Sequence, residues 1–307
     1  NMKIKAIYIF SILLTVALSS CENIVQLESP KSNNFLVVEA TLTNLPGPQK
    51  IMLTKSQAYF DNSAVPKISG AEVKVRDNMG QEYVFVEQKE QAGTYVWQPK
   101  TSTEILGKMG MTYQLSINWS NEQFTSSATM RRVPTIDSLL YQFDQASGRQ
   151  RGDDKPKEGY DAQFFAKDFL GLGDCYRVKT YKNGKLFNDP SNIAVIYDGA
   201  FQQGAASDGL TFNLPIRRSI SPELYLENDQ IKVELYSISQ DQFNFYSQAR
   251  LELNNAGLFS RPAANIPTNI QNLNSNSSIQ GAGWFGVSAV SIIETKVNPK
   301  LARKGLK

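Results

Sequence analysis

The chain of 307 residues has no histidine and two cysteines, Cys21 and Cys175. Without histidine it lacks the commonest general base and metal ligand, and no Ser-His or Cys-His pair can be built. Hydrolysis would have to use a carboxylate pair of the glycosidase kind, and no such pair stands out. No catalytic residue, metal ligand or cofactor is assigned, and the chain is expected not to be an enzyme. Excess charge is missing too: 32 basic side chains face 29 acidic ones. The one dense basic cluster, Lys296 to Lys307, lies at the C-terminal end and is read as solvated, with 301–307 as a basic tail, so no nucleic-acid partner is expected. Asp153, Asp154 and Glu158 lack the spacing of a calcium loop. Gly281, Gly283 and Gly286 lack both the strand-to-helix context and the Lys-Ser/Thr of a phosphate loop. They are expected to admit close backbone packing beside Trp284 and Phe285.

Long hydrophobic runs are also absent, with one exception. Ile7 to Leu18 is apolar and follows Lys3 and Lys5; it is too short to span a membrane and fits the core of a signal peptide. It ends in Leu18-Ser19-Ser20-Cys21, the pattern of a lipobox, so cleavage is expected between Ser20 and Cys21 with lipid on Cys21. Two or more acyl chains there make a stable anchor where one is marginal. Residues 1–20 are thus a lipoprotein signal peptide and 21–34 a lipidated tether. Removing the first 20 of 307 residues leaves 287, and since only Lys3 and Lys5 go with them, 30 basic side chains remain against 29 acidic ones, a net +1. With Cys21 consumed by lipid, Cys175 has no partner, no disulfide framework exists, and Cys175 is expected as a small buried hydrophobe on a strand.

Beyond the tether, short β-branched and alternating runs recur, punctuated by turn residues. Seven of them, from Phe35–Leu42 to Gln123–Met130, come with no helix between. Asp77-Asn78-Met79-Gly80 and Ser120-Asn121-Glu122 make two hairpins. The expected fold is mainly β, two β-sandwich domains in tandem: an immunoglobulin-like domain over 35–131 and a second sandwich over 135–300 that carries one helix. In the second, Asn183-Gly184 is a strong hairpin signal. Ser239-Gln240-Asp241-Gln242 is a capping box, followed by Phe243, Tyr246, Ala249, Arg250 and Leu253 at helical spacing, predicting a helix near 240–255 packed on a sheet face. Two surface sites are singled out. Tyr59, Phe60, Asp61 and Asn62 form an aromatic, acidic loop suited to partner contact, and Asp137-Ser138-Leu139 fits a short O-glycosylation pattern at Ser138.

Several stretches together resemble one family: Cys21-Glu22-Asn23-Ile24, Leu36-Val37-Val38-Glu39-Ala40, Thr54 to Ser63, Tyr181-Lys182-Asn183-Gly184 with Asn188-Asp189-Pro190, the run Pro262 to Ile270 after Phe259, and Gly283-Trp284-Phe285-Gly286-Val287-Ser288-Ala289. In order and spacing they resemble the DUF4249 lipoproteins of the Bacteroidota over residues 21–297, departing in the loop 144–159 and in 271–280. The resemblance implies an outer-membrane lipoprotein, facing the cell exterior and commonly encoded beside a TonB-dependent transporter, with no catalytic residues to carry over. Surface display in that phylum is linked to acidic residues after the lipidated cysteine, here Glu22 and Glu28. The expected role is a non-catalytic accessory subunit of an outer-membrane β-barrel, a TonB-dependent transporter or an assembly or secretion machine. An adhesin or glycan-binding module is the alternative.

Overall fold

The computed structural model describes residues 34–57, 61, 63–145, 155–198, 209, 211–212, 220–255 and 266–303. The lipobox residues Ser20 and Cys21, the loop residues Tyr59, Phe60 and Asn62, and most of the loop expected at 144–159 lie outside them. The described chain is mainly β with one helix of more than a single turn. Its first seven strands are β1 (Asn34–Thr43), β2 (Gln49–Lys55), β3 (Glu72–Asp77), β4 (Glu82–Gln88), β5 (Gln91–Trp97), β6 (Thr112–Trp119) and β7 (Glu122–Thr129). They follow the alternation of the sequence: on β6, Tyr113, Leu115 and Ile117 are buried while Gln114 and Asn118 face outward. The turns obey local chemistry. Asp77 Oδ1 accepts from the backbone N–H of Met79 and Gln81 at 3.0 and 2.9 Å, and Ser120 and Asn121 both adopt positive φ, as a tight hairpin between twisted strands demands.

The remaining strands are β8 (Ile136–Gln145), β9 (Glu158–Lys167), β10 (Cys175–Lys182), β11 (Lys185–Leu186), β12 (Ala194–Tyr197), β13 (Thr211–Phe212), β14 (Gln230–Ile238), β15 (Gln271–Asn272), β16 (Ile279–Ser288) and β17 (Val290–Lys296). The helix α1 spans Gln240–Leu253, between β14 and β15. Three sheets result. The largest has nine strands in the order β15-β7-β6-β3-β4-β5-β2-β1-β16. β4 turns its corner, pairing with β3 through Glu82–Phe85 and with β5 from Val86 onward. The sheet folds over a core that includes Leu36, Leu53, Tyr95, Tyr113, Leu115 and Phe285, and its two ends meet: Asn272 Nδ2 donates to the Ile279 carbonyl at 2.8 Å and Arg131 bridges Ser288. The second sheet is β11-β10-β14-β17 with β12 on β10, and the third is β13-β9-β8. These two pack face to face around Tyr141, Phe164, Tyr176, Val233 and Leu235.

Spatial order departs furthest from chain order at the two ends of the first sheet. β15 and β16, from the second half of the chain, sit at the two ends of the first sheet, and β16 pairs in parallel with β1 from Asn34↔Ile279 to Thr43↔Ser288. Only Ala289 separates β16 from β17, which pairs with β14 in the second sheet. A single extended stretch, 279–296, thus serves both sheets. Ser237 ties it down: its hydroxyl donates to the Arg131 carbonyl at 2.8 Å and accepts from Ala289 N–H at 3.0 Å.

The glycines of β16 stand where backbones touch. A Cβ on Gly283, whose φ is +81°, would lie 2.1 Å from the Val38 carbonyl oxygen. One on Gly281 would lie 2.4 Å from the Ile270 oxygen, and one on Gly286 2.5 Å from the Gln242 side-chain amide. This is the close packing expected of them. Beside them Phe285 and Val287 are buried, each stabilising the fold by roughly 1.5–3 kcal/mol.

The helix starts where the capping signal predicts. Ser239 Oγ accepts from Gln242 N–H at 3.1 Å, and Asp241 sits in the first turn, where the helix dipole favours an acid. The amide of Gln242 turns away from the cap and donates to Tyr246 Oη at 3.4 Å while lying against Gly286. Phe243 and Ala249 are buried, whereas Leu253, at the end of the expected stripe, is 58 % exposed. Cys175 is buried on β10, and burial, helped by Asp198, pushes its thiol up to about 12, so it is inert at neutral pH.

Candidate functional site

The singled-out surface residues scatter. Asp61 is exposed and is the one member of its loop cluster among the described residues. Ser138 is half-buried inside β8, opposite Phe165 where the β8–β9 register shifts. Among the described residues no group of three His, Cys, Asp or Glu side chains is placed to hold a metal, and no helix is long and apolar enough to cross a membrane.

What the fold brings together is a groove of about 670 Å³ beside β16. One wall is the outer face of β1 and β2, with Glu39, Thr41 and Lys50. The other is β10 and α1, with Arg177, Lys179, Phe245 and Tyr246, and Trp284 lines the base. Alternation explains the β10 wall. Tyr176 and Val178 point into the core between the second and third sheets, so Arg177, Lys179 and Tyr181 share the opposite face. On β14 the same logic puts Lys232, Glu234 and Tyr236 on that face, in register with Tyr181, Lys179 and Arg177 respectively.

This face holds a carboxylate that is fully used and a lysine that is not. Glu234, 4 % exposed, accepts from Tyr181 Oη at 2.8 Å and Tyr236 Oη at 2.6 Å and pairs with Lys232 Nζ at 2.7 Å. Burial pushes its carboxyl upward, but these bonds outweigh it and hold the group below the usual range. Burial and the Glu234 contacts raise both tyrosines. Lys179 lies directly across the ladder from Glu234 and would be its natural partner. With that carboxylate occupied, Lys179 Nζ instead rests 4.5 Å from the centre of the Tyr236 ring. Among the described residues it makes no hydrogen bond or ion pair. Burial first, then the neighbouring Arg177, lowers its pKa from 10.5 to about 8, against opposing pulls from Glu234 and Glu39. Arg177 likewise has no carboxylate among the described residues. Its guanidinium stacks 4.1 Å from the centre of the Tyr246 ring, and Nη1 donates to Tyr246 Oη at 2.6 Å. Phe245 and Trp284 lie alongside, their rings tilted 32° to one another with centroids 5.1 Å apart.

A half-buried ammonium without an acceptor is unfavourable for the fold. Because the folded state depresses its pKa, the unfolded chain binds more protons between about pH 8 and 10.5, and stability rises with pH across that window. Lys179→Met is therefore expected to stabilise the protein at pH 7 by on the order of 1–2 kcal/mol after allowance for solvent screening, the gain fading towards pH 10.5. Thermal denaturation of both proteins at pH 7 and pH 10 checks this; a destabilised variant at pH 7 would contradict it.

Sequence patterning could not expose this groove. Arg177 and Lys179 alternate with apolar neighbours as on any solvent-facing strand, and only the placement of α1 and β1 covers that face.

Residues 22–293 match the family described as Domain of unknown function (DUF4249). No curated protein matches the chain. With nearly the whole sequence covered by that match, the chain belongs to the DUF4249 family.

Proposed function

We propose that the protein is a non-catalytic lipoprotein of the outer membrane, held by lipid on Cys21, facing the cell exterior and serving as accessory subunit of an outer-membrane β-barrel such as a TonB-dependent transporter. A barrel-assembly or secretion machine is the other partner of the same class. The observation that carries this proposal is the three-part pattern Lys3/Lys5, Ile7–Leu18 and Leu18-Ser19-Ser20-Cys21. Residues 22–34, polar at their end, would lift the body from the membrane surface. The body supports a binding role, since the groove beside β16 holds two cations, Arg177 and Lys179, that have no carboxylate partner among the described residues. In this proposal 35–131, joined by β15 and β16, acts as an immunoglobulin-like sandwich and the rest of 135–300 as a second sandwich, with the loop Tyr59–Asn62 touching the partner and Ser138 as an O-glycosylation site. The test is co-purification of the native membrane complex in mild detergent, with partners identified by mass.

A further inference from the structure

We propose that the groove between β1–β2 and β10–α1 binds an acidic sugar, a hexuronate or a similar hydroxylated ring bearing one carboxylate, received by Lys179 and Arg177. Two cations at i and i+2 on β10 point into one cleft, and neither has a carboxylate partner among the described residues. The single acid across the ladder, Glu234, already accepts from two hydroxyls and an ammonium. A ligand carboxylate supplies what the fold withholds: an acceptor for the Lys179 ammonium and for the guanidinium N–H groups of Arg177 that Tyr246 leaves free. Burial lowers the Lys179 pKa to about 8, which leaves the group largely an ammonium at neutral pH, and an anion in the groove would stabilise that charge.

The rest of the lining selects the body of that ligand. Phe245 and Trp284 offer an aromatic edge and face for the C–H surface of a ring. Thr41, Glu39 and Asn188 put hydroxyl, carboxylate and amide groups around the rim, suited to sugar hydroxyls and unsuited to an acyl chain. Glu39 also limits the negative charge the site tolerates, favouring one carboxylate over a polyanion. A volume of about 670 Å³ has room for one or two sugar rings.

This inference goes beyond the membrane-partner proposal and is tested without any partner. Full-length protein in detergent is titrated calorimetrically with glucuronate and with glucose. Saturable heat with glucuronate and none with glucose is expected, with binding weakened at least about tenfold in Lys179→Met and in Arg177→Gln. Melting curves of the two variants at pH 7 show whether they are folded, and the conservative Arg177→Lys, which keeps the charge without the fork, is expected to retain part of the affinity. Equal binding of glucose, affinity unchanged in both folded variants, or no heat with glucuronate up to about 20 mM would each overturn it.

Discussion

Gly283→Ala is expected to destabilise the protein by on the order of 4 kcal/mol or more, enough to remove much of the stability of an ordinary fold. Two effects add. A non-glycine residue held at φ +81° is strained by about 1–3 kcal/mol, and the new methyl would sit 2.1 Å from the Val38 carbonyl oxygen, which is backbone and has no rotamer in which to escape. Relief requires β16 to move away from β1, along a parallel ladder that runs from Asn34↔Ile279 to Thr43↔Ser288. Gly110→Ala is the control: φ there is +79° but nothing lies within 4 Å of the added Cβ, so it carries only the backbone strain. Melting temperatures separate the two: Gly283→Ala should fall by about 10 °C or more, Gly110→Ala by much less. Equal shifts would mean that the β1–β16 contact is not where the structure puts it.

Cys21→Ala is expected to abolish lipidation altogether, the largest change predicted for any side chain of the protein. The thiol is the only group in the lipobox that can form the thioether, and each buried methylene of the acyl chains it would carry contributes about 0.8 kcal/mol to membrane binding. Cells fed labelled palmitate should incorporate it into the wild-type chain and not into the variant, and the variant should vanish from the outer-membrane fraction. Labelling of the variant, or an unlabelled wild type, would mean that Cys21 does not carry the anchor. Cys175 cannot substitute, being buried on β10 with its thiol pushed up to about 12.

Much of the secondary structure is legible because strand alternation and turn chemistry are local. Tyr113, Leu115 and Ile117 announce β6 by period alone, Asn183-Gly184 announces the β10–β11 turn with both residues at positive φ, and Ser239 announces the helix. What is not legible is long-range. Nothing in Ile279–Ser288 says that its partner is Asn34–Thr43; a strand expected within 135–300 instead borders the first sheet, because parallel pairing carries no hairpin or spacing signal. The glycines of that strand hint at close approach without naming what approaches. The groove is illegible for a related reason. Arg177 and Lys179 read as solvated until α1 and β1 are folded over them, and the isolation of Lys179 depends on Tyr181, Tyr236 and Lys232 having taken Glu234.

The proposed role as a lipid-anchored partner of an outer-membrane barrel turns on what stands beside the protein in the membrane. The decisive measurement isolates the tagged, native protein from outer membranes in a series of mild detergents and identifies what accompanies it by mass. A β-barrel protein in near-stoichiometric amount, a transporter or an assembly or secretion machine, is expected with the wild type and lost in Cys21→Ala. Recovery as a lone monomer in every detergent, or in the company of inner-membrane proteins alone, would contradict it.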